Sequence, residues 1–286
     1  MKRFLGCHVS SSGGMENAIF SANFLNVNSI QLHPSPPQRW NLNKFSENFE
    51  KNFLEAKKIS SVEKVFFHGI YLINLANPDD EKFHFSKISL LNYLDLMSRI
   101  SGDGVIFHIG SFKDQKNEEE GFVRIVEGLN WIFERSENSA KLLLEVAAGS
   151  GRVVGSKISD LAKIYEKVKE KNRLGFALDT QHMFGSGYDF ENDLEKIVLD
   201  LEKTFGIENI KAIHFNDSKV DLASKKDRHE NIGLGKIGEK TLKRILNHPK
   251  FLKIPFILET PNLGNKESAK LEVEKLKSWI EQRNLK

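Results

Sequence analysis

Two spacings of apolar residues alternate along the chain. Short runs rich in β-branched, aromatic and aliphatic residues recur from end to end: RFLGCH (3–8), NSIQLH (28–33), VEKVFFH (62–68), DGVIFH (103–108), KLLLE (141–145), LGFALD (174–179), IKAIHF (210–215) and IPFILE (254–259). Between them lie longer segments whose apolar residues return every three or four positions. Examples are 46–59, 85–100, 120–136, 159–172 and 266–282, each with Leu, Ile and Phe on one stripe and Lys and Glu on the other. Ser159-Asp160 read as the N-cap of one such helix. Eight strands alternating with eight helices predict a parallel sheet, and runs such as VFF and FIL suit strands buried on both faces. Eight units in 286 residues close most naturally into an α/β, (β/α)8 TIM barrel. An open doubly wound sheet is the alternative. No linker or low-complexity tract divides residues 1–286, which are read as one domain, and HPSPPQRW (33–40) is a Pro-rich loop.

Composition narrows the setting more than the function. Hydrophobic residues make up 40% and charged residues 28%, as in an ordinary globular chain. Cys7 is the single cysteine, so no disulfide forms within the chain, which fits a reducing compartment. The start MKRFLGCHVSSSGG lacks the apolar stretch of a signal peptide, and no run of about 18 apolar residues predicts a membrane span. The expectation is a soluble intracellular monomer that uses no membrane. A net charge of +3 permits a polyanionic partner without arguing for one.

The strand ends carry the chemistry. The runs finish at or beside His8, His33, His68, His108, Glu145, Asp179, His214 and Glu259. In a barrel the C-terminal strand ends meet at one face, so residues distant in sequence ring one pocket. His8 and His33 are read as hydrogen-bonding loop backbone. Taken singly, His68 and His108 suit structural roles, and Glu145 and Glu259 suit ion pairs with Lys or Arg. Taken together, converging carboxylates and imidazoles would repel and desolvate one another unless a multivalent cation sits among them. His182 follows Asp179 by three residues, and Asp227 and His229 flank Arg228 in a loop where alternate side chains can face one way. The candidate ligands are therefore His68, His108, Glu145, Asp179, His182, His214, Asp227, His229 and Glu259. Imidazole and carboxylate without thiolate suit Zn²⁺, Mn²⁺ or Fe²⁺, and nine ligands suffice for two or three ions if carboxylates bridge. Closely spaced metals serve phosphoester cleavage.

The chain resembles endonuclease IV, the metal-dependent apurinic/apyrimidinic endonucleases of base excision repair. The resemblance rests on GCHVSSSGG (6–14), HGIYLINLANP (68–78), FHIGS (107–111), LLEVAAGSG (143–151), LDTQHMFGSGYD (178–189), HFNDSK (214–219), DRHENIGLGKIG (227–238) and LETP (258–261), in family order. It implies a barrel carrying three zinc ions. One would be bound by His68, His108 and Glu145, a second by Glu145, Asp179, His214 and Glu259, and a third by His182, Asp227 and His229. It further implies a hydroxide that attacks the phosphate 5′ of an abasic sugar with help from catalytic Glu145, while the third ion neutralises the leaving 3′-oxygen. Trimming of 3′ ends is left open. The family bends duplex DNA and turns the abasic nucleotide out of the stack, and Tyr71 and Leu72 stand where wedging side chains are expected, although YLINLA also suits a core.

Departures from the family pattern concern DNA handling. Val146-Ala147 replace the usual Asn-Thr, and Gln38, beside Arg39, stands where an arginine is usual before Trp40. Either Gln38 fills the stack poorly or Arg39 substitutes after a loop shift. Residues 211–250 hold ten Lys/Arg against five Asp/Glu. Lys219 and Arg228 are the expected phosphate contacts among them, with Lys225, Lys226 and Lys236 nearby. The rival reading is a sugar isomerase or epimerase on a related barrel, which would use one ion at Glu145, Asp179, His214 and Glu259.

Overall fold

Residues apolar at successive positions have nowhere to turn but inward on both sides, and the computed structural model, which describes residues 2–136 and 140–281, buries them so. Eight strands pair in parallel: β1 (Leu5–His8), β2 (Ser29–Leu32), β3 (Lys64–His68), β4 (Gly104–Phe107), β5 (Leu142–Glu145), β6 (Leu174–Asp179), β7 (Ile210–His214) and, after a small ribbon, β10 (Phe256–Leu258). The sheet closes where β10 pairs with β1, Cys7 opposite Leu258. The ribbon is antiparallel, β8 (Asp217–Ser218) against β9 (His229–Glu230).

The helices wrapping the barrel are α1 (Glu16–Leu25), α2 (Lys51–Lys58), α3 (Asp80–Arg99), α4 (Glu118–Arg135), α5 (Ile158–Lys167), α6 (Thr180–Ser186), α7 (Phe190–Phe205), α8 (Glu239–Leu246) and α9 (Lys266–Ser278). The described residues thus hold one helix more than expected, because α6 turns directly off β6. Boundaries also move. α3 starts five residues earlier than the apolar stripe suggests, since the Asp79 carboxylate accepts from the Glu81 and Lys82 N–H groups. Ser159 and Asp160 do not cap α5; Lys157 occupies the cap position without a side-chain bond, leaving both in the first turn. Residues 46–50 precede α2 rather than belong to it. The end of the predicted last helix, residue 282, lies outside the described residues. Among those residues no helix is long and apolar enough to cross a membrane.

Side chains alternate along each strand. Phe66, Ile106, Leu143, Ala177, Ala212 and Ile257 form a cluster inside the barrel, while Val65, Phe67, Val105, Phe107, Leu142 and Leu144 join the core outside it. The interior layer fixes what stands above it: two residues on from each of its members come His68, His108, Glu145, Asp179, His214 and Glu259.

Candidate metal centre

The period of two therefore delivers six polar side chains to one rim, and loops add the rest. α6 brings His182, whose N–H is capped by Asp179 Oδ1 at 2.8 Å. β9 brings His229, and Asp227 lies just before it. Three groups hold ligand atoms within 4.8 Å of one another: His68, His108 and Glu145; Glu145, Asp179, His214 and Glu259; and Asp179, His182 and His229. Asp227, expected with the last pair, reaches His182 Nε2 at 3.3 Å through one oxygen and His229 Nε2 at 3.4 Å through the other. It is the most exposed of the nine; Glu145, Asp179 and His214 are wholly buried.

Hydrogen bonds on the far side of each ring decide which nitrogen carries its proton. A carbonyl only accepts, so a ring nitrogen facing one donates. His68 Nδ1 donates to Gly69 O at 2.8 Å, His182 Nδ1 to Val146 O at 2.9 Å and His229 Nδ1 to Glu259 O at 3.2 Å. Each leaves Nε2 as the nitrogen facing the carboxylates. Among the described residues the Nε2 atoms of His182 and His229 are buried with no hydrogen-bond partner. A buried lone pair without a donor is unfavourable. A cation supplies what it lacks, and the outer hydrogen bonds are those that orient imidazole ligands. The donor set thus fits a divalent metal.

The charges interlock. Glu145 is paired with imidazoles: His214 at 2.8 Å, His68 at 3.2 Å, and His108 and His182 at 3.5 Å. Burial pushes its carboxyl up, but His108, His214 and His68 overrule that and hold it well below the usual range. Glu259 is held down in the same way by His214, His8 and His68. Burial lowers His214, yet Glu259, Glu145 and Asp179 carry it to about 9. Asp227, which burial would raise, is brought to about 2 by His182, His229 and His108.

The remaining predicted residues spread around this rim. His33 donates from Nδ1 to His68 O at 3.0 Å, a backbone bond as expected, and burial with His8 and His68 nearby lowers it to about 3. His8 departs from its predicted role: its Nδ1 faces the side chains of Gln31 at 2.9 Å and Glu259 at 3.5 Å rather than loop backbone. Tyr71 and Leu72 are not core; they are 68% and 40% exposed in the turn after β3. Gln38 and Arg39 are exposed on the loop after β2, and Lys219 and Arg228 on the ribbon, where Lys219 N–H donates to Arg228 O.

Sequence reasoning missed two residues after His214. Asn216 is buried; its amide donates to Asp179 Oδ2 at 2.7 Å and accepts from the Glu259 N–H at 2.9 Å, joining two candidate ligands. Asp217, also buried, accepts from the N–H groups of Ser218, Gly233, Gly235, Ile237 and Gly238. Gly235 is obligatory there, because a Cβ would stand 2.4 Å from Ser218 O and 2.6 Å from Asp217 Oδ1.

Similarity to known proteins agrees with this geometry. Residues 22–282 match the family described as xylose isomerase-like TIM barrel. A probable endonuclease 4 from Halothermothrix orenii is 38% identical, covering 92% of this chain and 95% of its own. An apurinic-apyrimidinic endonuclease from Caenorhabditis elegans is 35% identical over 91% of this chain and 66% of its own. The crystal structure of endonuclease IV from Thermus thermophilus matches with a TM-score of 0.85 at 28% identity, over 99% of this chain and 100% of that one. A closed parallel barrel, imidazoles and carboxylates converging on its C-terminal rim and full-length similarity lead to one conclusion: the chain belongs to the endonuclease IV family of metal-dependent nucleases.

Proposed function

We propose that this protein repairs duplex DNA by cutting the phosphodiester 5′ to an abasic site, leaving a 3′-hydroxyl and a 5′-deoxyribose phosphate. Residues 1–286 act as one catalytic domain and as a monomer, and a DNA substrate suits an intracellular setting. The observation that carries the reading is the set of ring nitrogens turned toward shared carboxylates, with those of His182 and His229 buried beside Asp227 without a hydrogen bond. His68, His108 and Glu145 would hold one ion; Glu145, Asp179, His214 and Glu259 a second; and His182, Asp227 and His229 a third. Zinc is the expected metal, with Mn²⁺ or Fe²⁺ as substitutes at some positions. Bound there, divalent ions supply positive charge at the attacking and leaving oxygens of phosphodiester hydrolysis.

The chain's own groups do the rest. Glu145, shared between two ligand groups, is the catalytic carboxylate that keeps its charge inside a buried rim. Tyr71 and Leu72 present apolar surface for the gap left by a turned-out nucleotide, and a missing base lowers the cost of unstacking it. Gln38 and Arg39 flank that gap, while Lys219 and Arg228 offer cations to the phosphates. A one-metal sugar isomerase would need only Glu145, Asp179, His214 and Glu259, and gives no role to the His182, Asp227 and His229 set.

The test is incubation with a duplex bearing one abasic analogue, with product ends identified, alongside metal analysis of the purified protein. Incision 5′ to the lesion with near three ions per chain is the expected result. An uncut duplex and about one ion would point to the isomerase instead.

A further inference from the structure

Gln31 is a polar residue where the barrel interior calls for an apolar one. It sits in β2, in register with His8 on one side and Phe66 on the other, and is wholly buried. Phe66 beside it belongs to the interior cluster that Ile106, Leu143, Ile257 and two alanines complete. A carboxamide in such surroundings is costly unless its hydrogen-bonding groups are matched. Here they are. Oε1 accepts from His214 Nε2 at 2.7 Å, while Nε2 donates to Glu259 Oε1 at 2.5 Å and to His8 Nδ1 at 2.9 Å. The opposite amide orientation would set oxygen against the Glu259 carboxylate, so the partners determine which way the group points.

We propose that Gln31 is a positioning residue of the metal centre: one carboxamide selects the ring form of His214 and fixes the rotation of Glu259. The inference rests on the metal-centre reading above. His68, His182 and His229 each give the outer ring proton to a backbone carbonyl. His214 gives it to Gln31, from Nε2. Nδ1 is thereby the atom facing Glu145 Oε1 at 2.8 Å and Glu259 Oε2 at 3.3 Å. With Nε2 engaged by Gln31, Nδ1 is the ring nitrogen that would be left to hold a divalent ion. On the other carboxylate, Gln31 and His8 engage Oε1, so Oε2 is the oxygen turned to His214. One side chain thus sets two ligands of the group Glu145, Asp179, His214 and Glu259, while its hydrogen bonds reach no member of the group Asp179, His182 and His229.

The experiment compares wild type with Gln31→Leu, which removes both interactions, and Gln31→Glu, which keeps an acceptor for His214 but sets a like charge against Glu259. Bound zinc and its affinity are measured by competition with a chelator, and cadmium-loaded protein is followed by ¹¹³Cd NMR. Gln31→Leu should weaken one ion by about 10–100-fold and leave the others unchanged, with one cadmium resonance displaced. Gln31→Glu, the closer match in shape, should weaken the same ion and decides the matter if the leucine variant does not fold. Wild-type affinity in both variants overturns the inference, as does equal weakening of every ion together with a lowered melting temperature. Such results leave the repair reading intact. A wild-type protein that binds no divalent ion sinks both, and one that binds ions without cutting an abasic duplex sinks only the repair reading.

Discussion

The backbone N–H of Tyr71 donates to the carbonyl of Pro37 at 3.3 Å, tying the turn after β3 to the loop after β2. The exposed Tyr71 ring and exposed Gln38 and Arg39 therefore stand on segments held to each other above the rim. Replacing Tyr71 with Ala removes no buried surface of consequence, so stability should change by no more than about 0.5 kcal/mol. Affinity for a duplex carrying an abasic analogue should fall by about 1–3 kcal/mol, the usual worth of an aromatic stacking contact. Fluorescence anisotropy measures it, and an unchanged Kd would remove Tyr71 from the DNA interface.

Glu145→Gln preserves shape while removing the charge four imidazoles surround. Incision should drop by about 100-fold or more, the scale of losing a carboxylate engaged in proton transfer, with the circular dichroism spectrum retained. Undiminished cutting would defeat the assigned role of this carboxylate.

Asp217 offers a stability test at a residue that is not itself a candidate ligand. Its five N–H donors come from Ser218 and from the segment 233–238. Asp217→Ala would leave several buried donors unmatched, and unfolding in urea should show a loss of about 2–4 kcal/mol. A loss below about 0.5 kcal/mol would mean that the segment finds other acceptors.

Cys7 supplies a pH dependence whose sign can be worked out. Burial first, and Glu272 second, push its thiol from the ordinary 9.0 to about 12. The unfolded chain releases this proton near pH 9 while the native chain keeps it. The contribution is therefore fully present below pH 9 and lost as pH rises from 9 toward 12. The urea midpoint of wild type should fall over that range more steeply than that of Cys7→Ala. Native protein should also resist alkylation at about pH 8 and react once unfolded. Parallel pH curves for the two proteins would refute the shift.

Much of the architecture was readable because the two apolar periods have direct geometric meaning. Each barrel strand falls within its apolar run, and the step of two from Phe66 to His68 or from Leu143 to Glu145 places function above core. What stayed hidden depends on partners distant in the chain. Nothing local to NSIQLH says that Gln31 meets His214 and Glu259, 183 and 228 residues away. Asp217 gathers N–H groups up to 21 residues downstream, and no spacing rule anticipates that. YLINLA reads as largely apolar, yet a turn exposes Tyr71 and Leu72 while burying Ile73 and Leu75. Helix starts slipped for a simpler reason: the stripe marks the buried face, whereas the start depends on which side chain satisfies the first N–H groups.

The ring of strands closes only when β10 docks against β1, and Glu259 follows directly on that closing strand. During synthesis the last of the nine acids and imidazoles thus emerges after the other strands have already had time to pair. A chain cut short of β10 would lack both the strand that closes the sheet and Glu259. Competence to cut DNA accordingly waits on the last strand of the barrel.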